Sequence, residues 1–541
     1  MAEKEIVIEV KYLEIIFLLM ISLAVLALNL QVSLNSPIVF GDEGFHSRLA
    51  QWIAEKREYP IYFDKIEGSE ALASGYARPP LWNLLEASLF LIFGFHEIII
   101  KLFTPFLAFL TGISTYLLVK KLSNSRIALF SSIISVTVPS FVTYSVLFYT
   151  DILFTFYSSL FFFTFLLFKK TNSKKYLLLS GIFASLATLT KAPGYAYYLF
   201  FLLAFLYDFI KKRNFFENIK NYLVLILILL IISAGLYIRN YHYYSNPICY
   251  SIPHINIFPM ENCSLDKFEE KYTFTSRAEM TGTEQSVYSI GIVSYLDFAY
   301  GSLAFVFLSF AIGIFVLYEE RNEIFPYIAL FFLVFLAIFY ISTGRAEDTA
   351  RYTLAWVPSI ALISSIFFEK IYNFLSLYHK YLGLIIFILV ILISFYNLNN
   401  KLEVMGLVKQ FSPSFFEACE WVKQNPDKVP KDAILMTIWN HRAIYNCQRN
   451  SHGIIADIAL SKDLNYTLEV AKKLGITHIF IQKFSIDLQN RHLGERYDAE
   501  FVQFLEANPE HFEKIYENGP SLQDCFTRGY CDGNIIYKIK Y

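Results

Sequence analysis

The sequence predicts a polytopic α-helical membrane protein with a C-terminal α/β domain outside the membrane. Of its 541 residues, 55% are hydrophobic and only 17% are charged, whereas a soluble domain usually carries about 25% charged residues. The charges are unevenly distributed, because residues 401–541 hold 35 of the 93 charged residues. The net charge of −1 excludes a strongly basic chain, so we expect no nucleic-acid partner.

Membrane-spanning helices can be recognised as long apolar stretches, because a helix needs about 20 mainly apolar residues to cross the hydrocarbon. The remaining C-terminal segment has the charge content of an ordinary soluble domain. We therefore predict a transmembrane domain at residues 1–400 and an extracytoplasmic domain at residues 401–541. About eleven spans are predicted, at residues 12–34, 98–119, 126–148, 152–168, 176–190, 194–210, 221–240, 294–318, 324–342, 352–368 and 380–397.

Lysine and arginine residues in the short connections predict the orientation, because such residues are enriched on the cytoplasmic side. They occur in alternate connections, which places the N-terminus inside and the long loops and the C-terminal domain outside. We expect an integral, multi-pass protein of the cell membrane. The basic residues of these connections include Lys120, Lys121, Arg126, Lys169, Lys170, Lys174, Lys175, Lys211, Lys212, Arg213 and Lys220.

The six cysteines agree with this orientation. None of them lies in a predicted span or in an inside connection, as expected for thiols that meet an oxidising exterior. The pairs nearest in sequence are Cys249–Cys263 and Cys525–Cys531. Disulfides outside the membrane are therefore expected, while the connectivity stays open.

The first outer loop, residues 35–97, is predicted to hold two interfacial helices. Residues 42–57 have an amphipathic pattern with Phe45, Leu49, Trp52 and Ile53 on one face. Asp42 and Glu43 at its start suit a helix N-terminus, so they either cap this helix or serve a site. His46 is expected on the polar face. The apolar stretch that follows Arg78-Pro79-Pro80 and ends near Phe93-Gly94 is too short to cross the membrane.

Ionisable residues recur at the outer membrane face, where short connections normally carry few basic residues. Such charges are costly and mark functional candidates. The cations are suited to an anionic lipid head group, and a carboxylate beside them could act as a general base. The cations are Arg78, Lys191, Arg239 and Arg351, and the carboxylates are Asp42, Glu43 and Asp151.

Together these features resemble the GT-C membrane glycosyltransferases of the dolichyl-phosphate-mannose protein mannosyltransferase and aminoarabinose transferase type. The resemblance covers about residues 1–370, and a C-terminal outer domain is also usual in that family. The matching features occur in the same order along the chain: Asp42-Glu43, Arg78-Pro79-Pro80-Leu81 with Phe93-Gly94, Asp151, Thr190-Lys191-Ala192-Pro193-Gly194, and Arg351-Tyr352 with Pro358.

The resemblance implies an inverting transfer of a sugar from a polyisoprenyl monophosphate donor to a hydroxyl group of a protein, glycan or lipid acceptor. Asp42 would be the general base. Glu43 and Asp151 would orient the acceptor or, with His46, hold a divalent cation. Ala77 precedes Arg78 where some relatives have an acidic residue, so a metal site is not transferred and a divalent cation is left open. The donor phosphate would be bound by Arg78, Lys191, Arg351 and, with less support from the motif, Arg239.

The tail has the alternating pattern of a small α/β domain. Helices are predicted at residues 413–424, 466–474 and 498–507, and strands at residues 433–438, 477–481, 512–516 and 535–541. The segment Trp439-Asn440-His441-Arg442 follows the first strand. We interpret it as a solvated strand-end loop in preference to a contact for glycan or acceptor.

Two other functions are compatible with a polytopic chain of this kind. An oligosaccharyltransferase is a related GT-C enzyme, but the tail lacks the W-W-D-Y-G signature of that class. A transporter of lipid-linked sugars would be expected to show inverted repeats and polar residues in both halves of the membrane. The gathering of ionisable residues at one face favours the glycosyltransferase.

Overall fold

The computed structural model describes the chain in segments, and the statements below concern these residues. Cys249, Cys263, Cys525 and Cys531, which form the two predicted nearest pairs, lie outside them, as does Tyr352. The described residues are 2–38, 41–60, 78–211, 215–244, 246–248, 304–319, 323–342, 351, 353–409, 413–437, 440–452, 463–483, 497–521, 524 and 532–541.

Fourteen described helices precede the C-terminal domain. They are α1 (Ala2–Asn35), α2 (Gly41–Lys56), α3 (Leu81–Phe93), α4 (Glu97–Leu122), α5 (Ser125–Thr137), α6 (Pro139–Ser145), α7 (Thr150–Thr171), α8 (Lys174–Thr188), α9 (Ala196–Ile210), α10 (Phe215–Tyr244), α11 (Ala304–Glu319), α12 (Phe325–Ser342), α13 (Val357–Tyr378) and α14 (Lys380–Lys409).

Seven described helices are long and apolar enough to span a membrane, or eight if the bent pair α5–α6 is one span. The predicted number of eleven is therefore not confirmed. Helix α8 has 15 residues, and the apolar described parts of α11 and α12 are shorter than a full crossing. The pair α5–α6 bends by 62° at Val138-Pro139, because proline cannot donate the backbone hydrogen bond that would continue the helix.

The helices pack around one hydrophobic core in which α7 is central. In its membrane-spanning window, 83% of α7 is buried, against 22% for the peripheral α14. Phenylalanine fills the space between α7, α9 and α12, with Phe161 close to the rings of Phe200 and Phe331. Aromatic burial of this kind fixes α7 in position, and α7 in turn presents its two ends to the neighbouring helices.

Both segments predicted as interfacial helices are helical, as α2 and α3, and their position at the membrane interface stays a prediction. Phe45, Leu49 and Ile53 are buried on one face of α2, as the amphipathic pattern predicts. His46 is also buried, with 3% exposure, so the expectation that it lies on the polar face is wrong. It turns towards α3, which packs against this side of α2. The 13 residues of α3 are too few to cross the hydrocarbon.

The C-terminal segment forms a mixed five-stranded sheet with helices. The strands are β1 (Ile434–Met436), β2 (Asn450–His452), β3 (His478–Gln482), β4 (Phe512–Asn518) and β5 (Asn534–Ile539), in the order β2-β1-β3-β5-β4. Strand β1 is parallel to β2 and β3, while β5 is antiparallel to β3 and β4. Its helices are α15 (Pro413–Gln424), α16 (Asn440–Asn446), α17 (Leu464–Leu474) and α18 (Tyr497–Glu506).

The predicted α/β pattern of the tail is confirmed, with two additions. The sequence did not predict α16 and β2, which together form a β1–α16–β2 unit. The segment that begins at Asn440 is therefore a helix and not the expected strand-end loop. Helix α14 continues through residues 400 and 401 to Lys409, and the domain division at that position stays a prediction.

A disulfide joins the tail helices. Cys419 on α15 is bonded to Cys447, the residue that follows α16, and both are buried. Oxidised cysteines in the tail are thus confirmed, although these two are separated by 28 residues and sequence proximity did not pair them. The bond fixes the C-terminal end of α16 against α15.

Candidate active site

Asp151 is the centre of an ion-pair network at one end of the helix bundle. It stands in the first turn of α7 and is 1% exposed. The Lys191 ammonium contacts its Oδ1, and the Nε and Nη2 atoms of Arg351 each lie 3.2 Å from its Oδ2. The buried Asp151 carboxylate thus pairs with two cations from distant parts of the chain. A carboxylate removed from water needs such partners, because an unpaired buried charge is strongly destabilising.

Lys191 is placed by a tight turn between α8 and α9. The turn residues 192–195 form a 3-10 helix, and the Gly194 N–H donates to the Lys191 carbonyl at 2.9 Å. A Cβ on Gly194 would meet Thr188 Cα at 2.4 Å, so only glycine allows this close return of the chain. The Leu81 N–H donates to the Leu189 carbonyl at 2.9 Å, which joins the start of α3 to the same turn.

Asp42 enters the network through Arg351. Its Oδ2 lies 2.8 Å from Arg351 Nη2, and its side chain is 30% exposed, compared with 1% for Asp151. The Arg351 guanidinium also lies over the Tyr149 ring, 4.7 Å from its centre, a favourable cation–π arrangement. Asp42 is therefore the accessible carboxylate of the network, whereas Asp151 is enclosed by its partners.

Glu43 connects α2 with the chain that precedes α7. Its side chain is buried, and Oε1 accepts a hydrogen bond from the Phe148 N–H at 2.9 Å. This contact links the helix that carries Asp42 to the segment that carries Tyr149 and Asp151. Glu43 thereby holds Asp42 on α2 close to Tyr149 and Asp151 at the start of α7.

His46, one turn after Asp42, belongs to a chain of hydrogen-bonded polar side chains next to the ion-pair network. Its Nδ1 lies 2.8 Å from Asn83 Oδ1, and Asn83 Nδ2 donates to Tyr59 Oη at 3.4 Å. Burial lowers the pKa of His46 to about 4, because an apolar environment disfavours the imidazolium ion. His46 is therefore neutral at pH 7.

The two remaining predicted cations border the network. Arg78 lies over the Phe45 ring at 5.6 Å, and it acts on His46 electrostatically together with Asp42 and Arg351. Arg239 instead donates to the Pro60 carbonyl at 2.8 Å and lies 4.7 Å from the centre of the Tyr59 ring. Arg78 is thus next to the charged centre, and Arg239 lies on the far side of Tyr59.

The three candidate metal ligands have other contacts. Glu43 accepts a backbone hydrogen bond, His46 contacts an amide, and Asp151 is paired with two cations. Among the described residues, no three His, Cys, Asp or Glu side chains are grouped as a metal site would need. We derive no catalytic step through a metal ion.

A cavity of about 510 Å³ lies between α2 and the C-terminal domain, and it does not coincide with the network. Arg48 and Gln51 line it from α2, and Phe416, Lys423 and Tyr445 line it from the tail. None of the predicted site residues lines this cavity. The charged network and not this cavity is therefore the candidate for chemistry.

Three residues of this region were not predicted as site residues. Tyr149 and Asn83 contact Arg351 and His46 respectively, and Arg442 of α16 interacts electrostatically with Tyr149 and Glu43. Tyr149 is two positions from Asp151 and could have been found by that proximity. Asn83 and Arg442 depend on contacts between distant segments, for which the sequence carries no signal.

The fold and parts of the sequence match known glycosyltransferases. A family model described as dolichyl-phosphate-mannose-protein mannosyltransferase matches residues 77–238. No curated protein matches the sequence.

Solved structures match over nearly the whole chain. The oligosaccharyltransferase AglB from Archaeoglobus fulgidus is 13% identical with a TM-score of 0.64, covering 98% of this chain and 74% of its own. ArnT from Cupriavidus metallidurans is 10% identical with a TM-score of 0.63, covering 97% of both chains. The arabinofuranosyltransferase AftD from Mycobacteria is 11% identical with a TM-score of 0.53, covering 97% of this chain and 40% of its own.

These matches agree with the helical bundle and with the C-terminal domain that contains a sheet. The chain therefore has the fold of these membrane glycosyltransferases, and a family model of the same kind matches its residues 77–238.

Proposed function

We propose that the protein is an inverting glycosyltransferase that uses a polyisoprenyl monophosphate sugar and transfers the sugar to a hydroxyl group of a protein, glycan or lipid acceptor. The observation that carries this proposal is the network of Asp42, Arg351, Asp151 and Lys191. In this network the accessible Asp42 carboxylate lies near two cations, Arg351 and Lys191, at one end of the helix bundle. ArnT has been determined bound to undecaprenyl phosphate, and AglB with a dolichol-phosphate, which supports a lipid phosphate donor.

The chemistry assigns different tasks to the two carboxylates. Asp42 accepts the proton of the acceptor hydroxyl as the hydroxyl oxygen bonds to the anomeric carbon. The bond from that carbon to the phosphate oxygen breaks on the opposite face, and the lipid phosphate leaves with one additional negative charge. Asp151, enclosed by Lys191 and Arg351, holds these cations in place so that they stabilise the developing charge without reorganisation.

The network is proposed to face the outside of the membrane. The support is the distribution of basic connections, because Lys120, Lys121 and Lys170 lie at the ends of α4 and α7 opposite to Asp151. The C-terminal domain would then be extracytoplasmic, which agrees with its Cys419–Cys447 disulfide. Membrane-impermeant labelling of an introduced cysteine at exposed Lys540, in intact cells, would test this orientation.

The proposed role of Asp42 is tested by transfer from a labelled polyprenyl phosphate sugar to a membrane extract. We expect Asp42→Asn to reduce transfer below 1% of wild type, because the amide cannot accept the proton, and to leave binding of the lipid phosphate intact. Glu55→Gln is the matched control, since Glu55 is an exposed carboxylate on the same helix. Transfer by Asp42→Asn at the wild-type rate would contradict the assignment.

An oligosaccharyltransferase is the second candidate, supported by the similarity to AglB over 98% of the chain. A matching structure of an Archaeoglobus fulgidus oligosaccharyltransferase holds a tethered acceptor peptide with the NVT sequon. The absence of W-W-D-Y-G from the tail weighs against this candidate. Supplying a peptide with an Asn-Val-Thr sequon and a lipid-linked oligosaccharide separates the two, because only an oligosaccharyltransferase would glycosylate the asparagine.

A further inference from the structure

The cavity of about 510 Å³ between α2 and the C-terminal domain is separate from the candidate active site. Arg48 and Gln51 line it from α2, and they follow Asp42 by six and nine residues. At about 3.6 residues per turn, these positions lie about 120° and 180° around the helix from Asp42. The volume is within the range of about 300–1,000 Å³ that is usual for small-molecule sites. The cavity is therefore a candidate for a second binding site.

Cations of both domains meet at this cavity. Arg48 belongs to α2, Lys423 belongs to α15, and Lys431 lies between α15 and β1. The guanidinium of the half-buried Arg48 donates to the neutral Gln51 Oε1 at 2.8 Å. Among the described residues, neither Arg48 nor Lys431 pairs with a carboxylate. The cavity thus has a positive charge on each of its two sides.

The other charged residues of the cavity wall have partners of their own. The carboxylate of Glu420 pairs with Lys423 on the same helix, and that of Glu97 pairs with Lys101 at 2.8 Å. The buried Arg449 also lines the cavity, but its guanidinium donates to backbone carbonyls. The two cations described above, one from each domain, are therefore the ones that a ligand can engage.

An anion would bring these two cations together. Like charges that face one cavity repel each other, and the repulsion is stronger where protein replaces water. Phosphate is a suitable anion, because a guanidinium donates two parallel hydrogen bonds to it and an ammonium supplies a point charge. The side chains of Gln448 and Asn450 lie in the same wall, and their amide groups can donate further hydrogen bonds to phosphate oxygens.

The cavity continues into exposed apolar surface through Phe95. This residue lines the cavity, is 39% exposed and lies in the short link between α3 and α4. Helix α4 is long and apolar enough to span the membrane. The exposed apolar residues at the end of α3 and along one side of α4, called the apolar strip below, are Ile92, Phe93, Ile98, Leu102 and Phe106. A hydrocarbon chain along this strip would bring its head group to the cavity.

We propose that this cavity binds the phosphate head group of an anionic membrane lipid, with Arg48 of α2 and Lys431 of the C-terminal domain as the cations that hold it. The hydrocarbon chains lie along the apolar strip. The bound lipid joins the two domains on a side of α2 that is turned away from Asp42. This inference goes beyond the proposed function, because it concerns lipid binding and requires no sugar transfer.

The test titrates the full-length protein in a neutral detergent with phosphatidylglycerol, phosphatidylcholine or inorganic phosphate. Native mass spectrometry counts the bound lipids, and the unfolding temperature is measured at each concentration. We expect the anionic phosphatidylglycerol to bind more tightly than the zwitterionic phosphatidylcholine and to raise the unfolding temperature further. Inorganic phosphate at the same concentration should have little effect, because it lacks the chains that contact the apolar strip.

The double variant Arg48→Gln/Lys431→Gln locates the effect. It should retain one phosphatidylglycerol fewer than the wild type and weaken binding at this site at least about tenfold, with phosphatidylcholine binding unchanged. Without lipid it should unfold at the wild-type temperature or above, because the repulsion between the two cations is removed. Arg48→Lys keeps the charge without the guanidinium fork and should weaken phosphatidylglycerol binding by about threefold.

Lys472→Gln/Lys540→Gln is the matched control, because both lysines are exposed cations of the C-terminal domain outside the cavity wall. It should bind both lipids as the wild type does. Wild-type affinity for phosphatidylglycerol in Arg48→Gln/Lys431→Gln would overturn the proposal. An equal loss of phosphatidylcholine binding in that variant would indicate a general change of the lipid-facing surface and overturn it too. Stabilisation by inorganic phosphate as large as that by phosphatidylglycerol would mean that the cavity takes a free anion and not a lipid.

Discussion

The two ends of α7 each carry a buried ion pair, and they differ in how completely it is satisfied. At the first end, Asp151 pairs with Lys191 and Arg351, and the network opens to Asp42 with 30% side-chain exposure. At the other end, Lys169 pairs with Asp208, with side-chain exposures of 7% and 0%. Both pairs join α7 to a neighbouring segment, but only the first has an accessible carboxylate.

The second pair is closed by aromatic side chains. Asp208 accepts hydrogen bonds from the hydroxyls of Tyr222, at 2.8 Å, and Tyr327. The Lys169 ammonium lies within 6 Å of four ring centres, including those of Tyr222 at 4.7 Å and Tyr327 at 4.9 Å. Such a pair joins helices, since every charge has a fixed partner. The comparison teaches that burial alone does not distinguish the proposed catalytic network from a structural ion pair, whereas the accessible carboxylate of Asp42 does.

Removing Asp208 should have the largest effect on stability. Asp208→Ala leaves the Lys169 charge buried without its carboxylate, which typically costs 3–5 kcal/mol, and transfer per folded molecule should remain near wild type. Thermal unfolding in detergent, together with the transfer assay, measures both. The double variant Lys169→Met/Asp208→Leu should recover most of the stability, because it removes both charges. A large loss of transfer in that stable double variant would mean that this end also takes part in catalysis.

Removing Arg351 should give the opposite pattern. We expect Arg351→Gln to lower the rate of sugar transfer about 10²–10³-fold, because a preorganised cation at the leaving phosphate is lost. Thermal stability should change little, since Lys191 still pairs with Asp151. Arg126→Gln is the control, because Arg126 is an arginine at the opposite end of the bundle that binds Asn373. If the two variants were equally active, the site would be misplaced.

Acidification should destabilise the protein through buried histidines. The pKa of His46 falls from 6.5 to about 4 on folding, so its contribution to stability is fully present above pH 6.5 and is lost as the pH falls towards 4. The shift corresponds to roughly 3 kcal/mol at the acid limit. His46→Gln should therefore show a weaker fall of the unfolding temperature between pH 7 and pH 4.5.

The wild type is the reference for this measurement, because His478 also has a pKa lowered to about 4 by burial and titrates in both proteins. Parallel curves for the wild type and His46→Gln would show that His46 is solvated in the folded state.

The smallest effect is expected for a single hydroxyl of the closed pair. Tyr327→Phe keeps the ring over Lys169 and removes one hydrogen bond to Asp208, which should cost about 1 kcal/mol of stability. Transfer should be unchanged. Tyr198→Phe removes a hydroxyl that contacts the hydroxyl of the partly buried Tyr237 at 2.9 Å, and it should cost less. A larger loss of stability in Tyr198→Phe than in Tyr327→Phe would contradict a contribution of the Tyr327 hydroxyl to the Lys169–Asp208 pair.

Much of the fold could be predicted from hydrophobic periodicity and from the residues that begin and end helices. The amphipathic pattern predicted α2, and Asp463 and Gly475 bound α17 as an N-cap and a left-handed C-cap. The number of membrane spans was harder to predict. Apolar stretches such as residues 176–190 and 324–342 have the same composition whether or not the helix crosses the whole membrane. Helix α16 was missed, since its seven residues are too few for a clear period.

The site shows the same division. The order of Asp42, Asp151, Lys191 and Arg351 at one membrane face followed from the sequence, because each is an ionisable residue next to an apolar span. Their pairing did not, since Lys191 and Arg351 are 40 and 200 residues from Asp151. Lys169 was counted only as a basic residue of a connection, and its burial against Asp208 depends on how α7 and α9 pack.

The sequence by itself determined the membrane class, the separate C-terminal domain and the set of charged candidates, because hydropathy and charge are properties of the residues. Tertiary structure decided which candidates share a network and which carboxylate stays accessible. Those properties depend on packing between segments far apart in the chain. Asp42 and Asp151 are both aspartates at a helix start, and only their neighbours in space distinguish them.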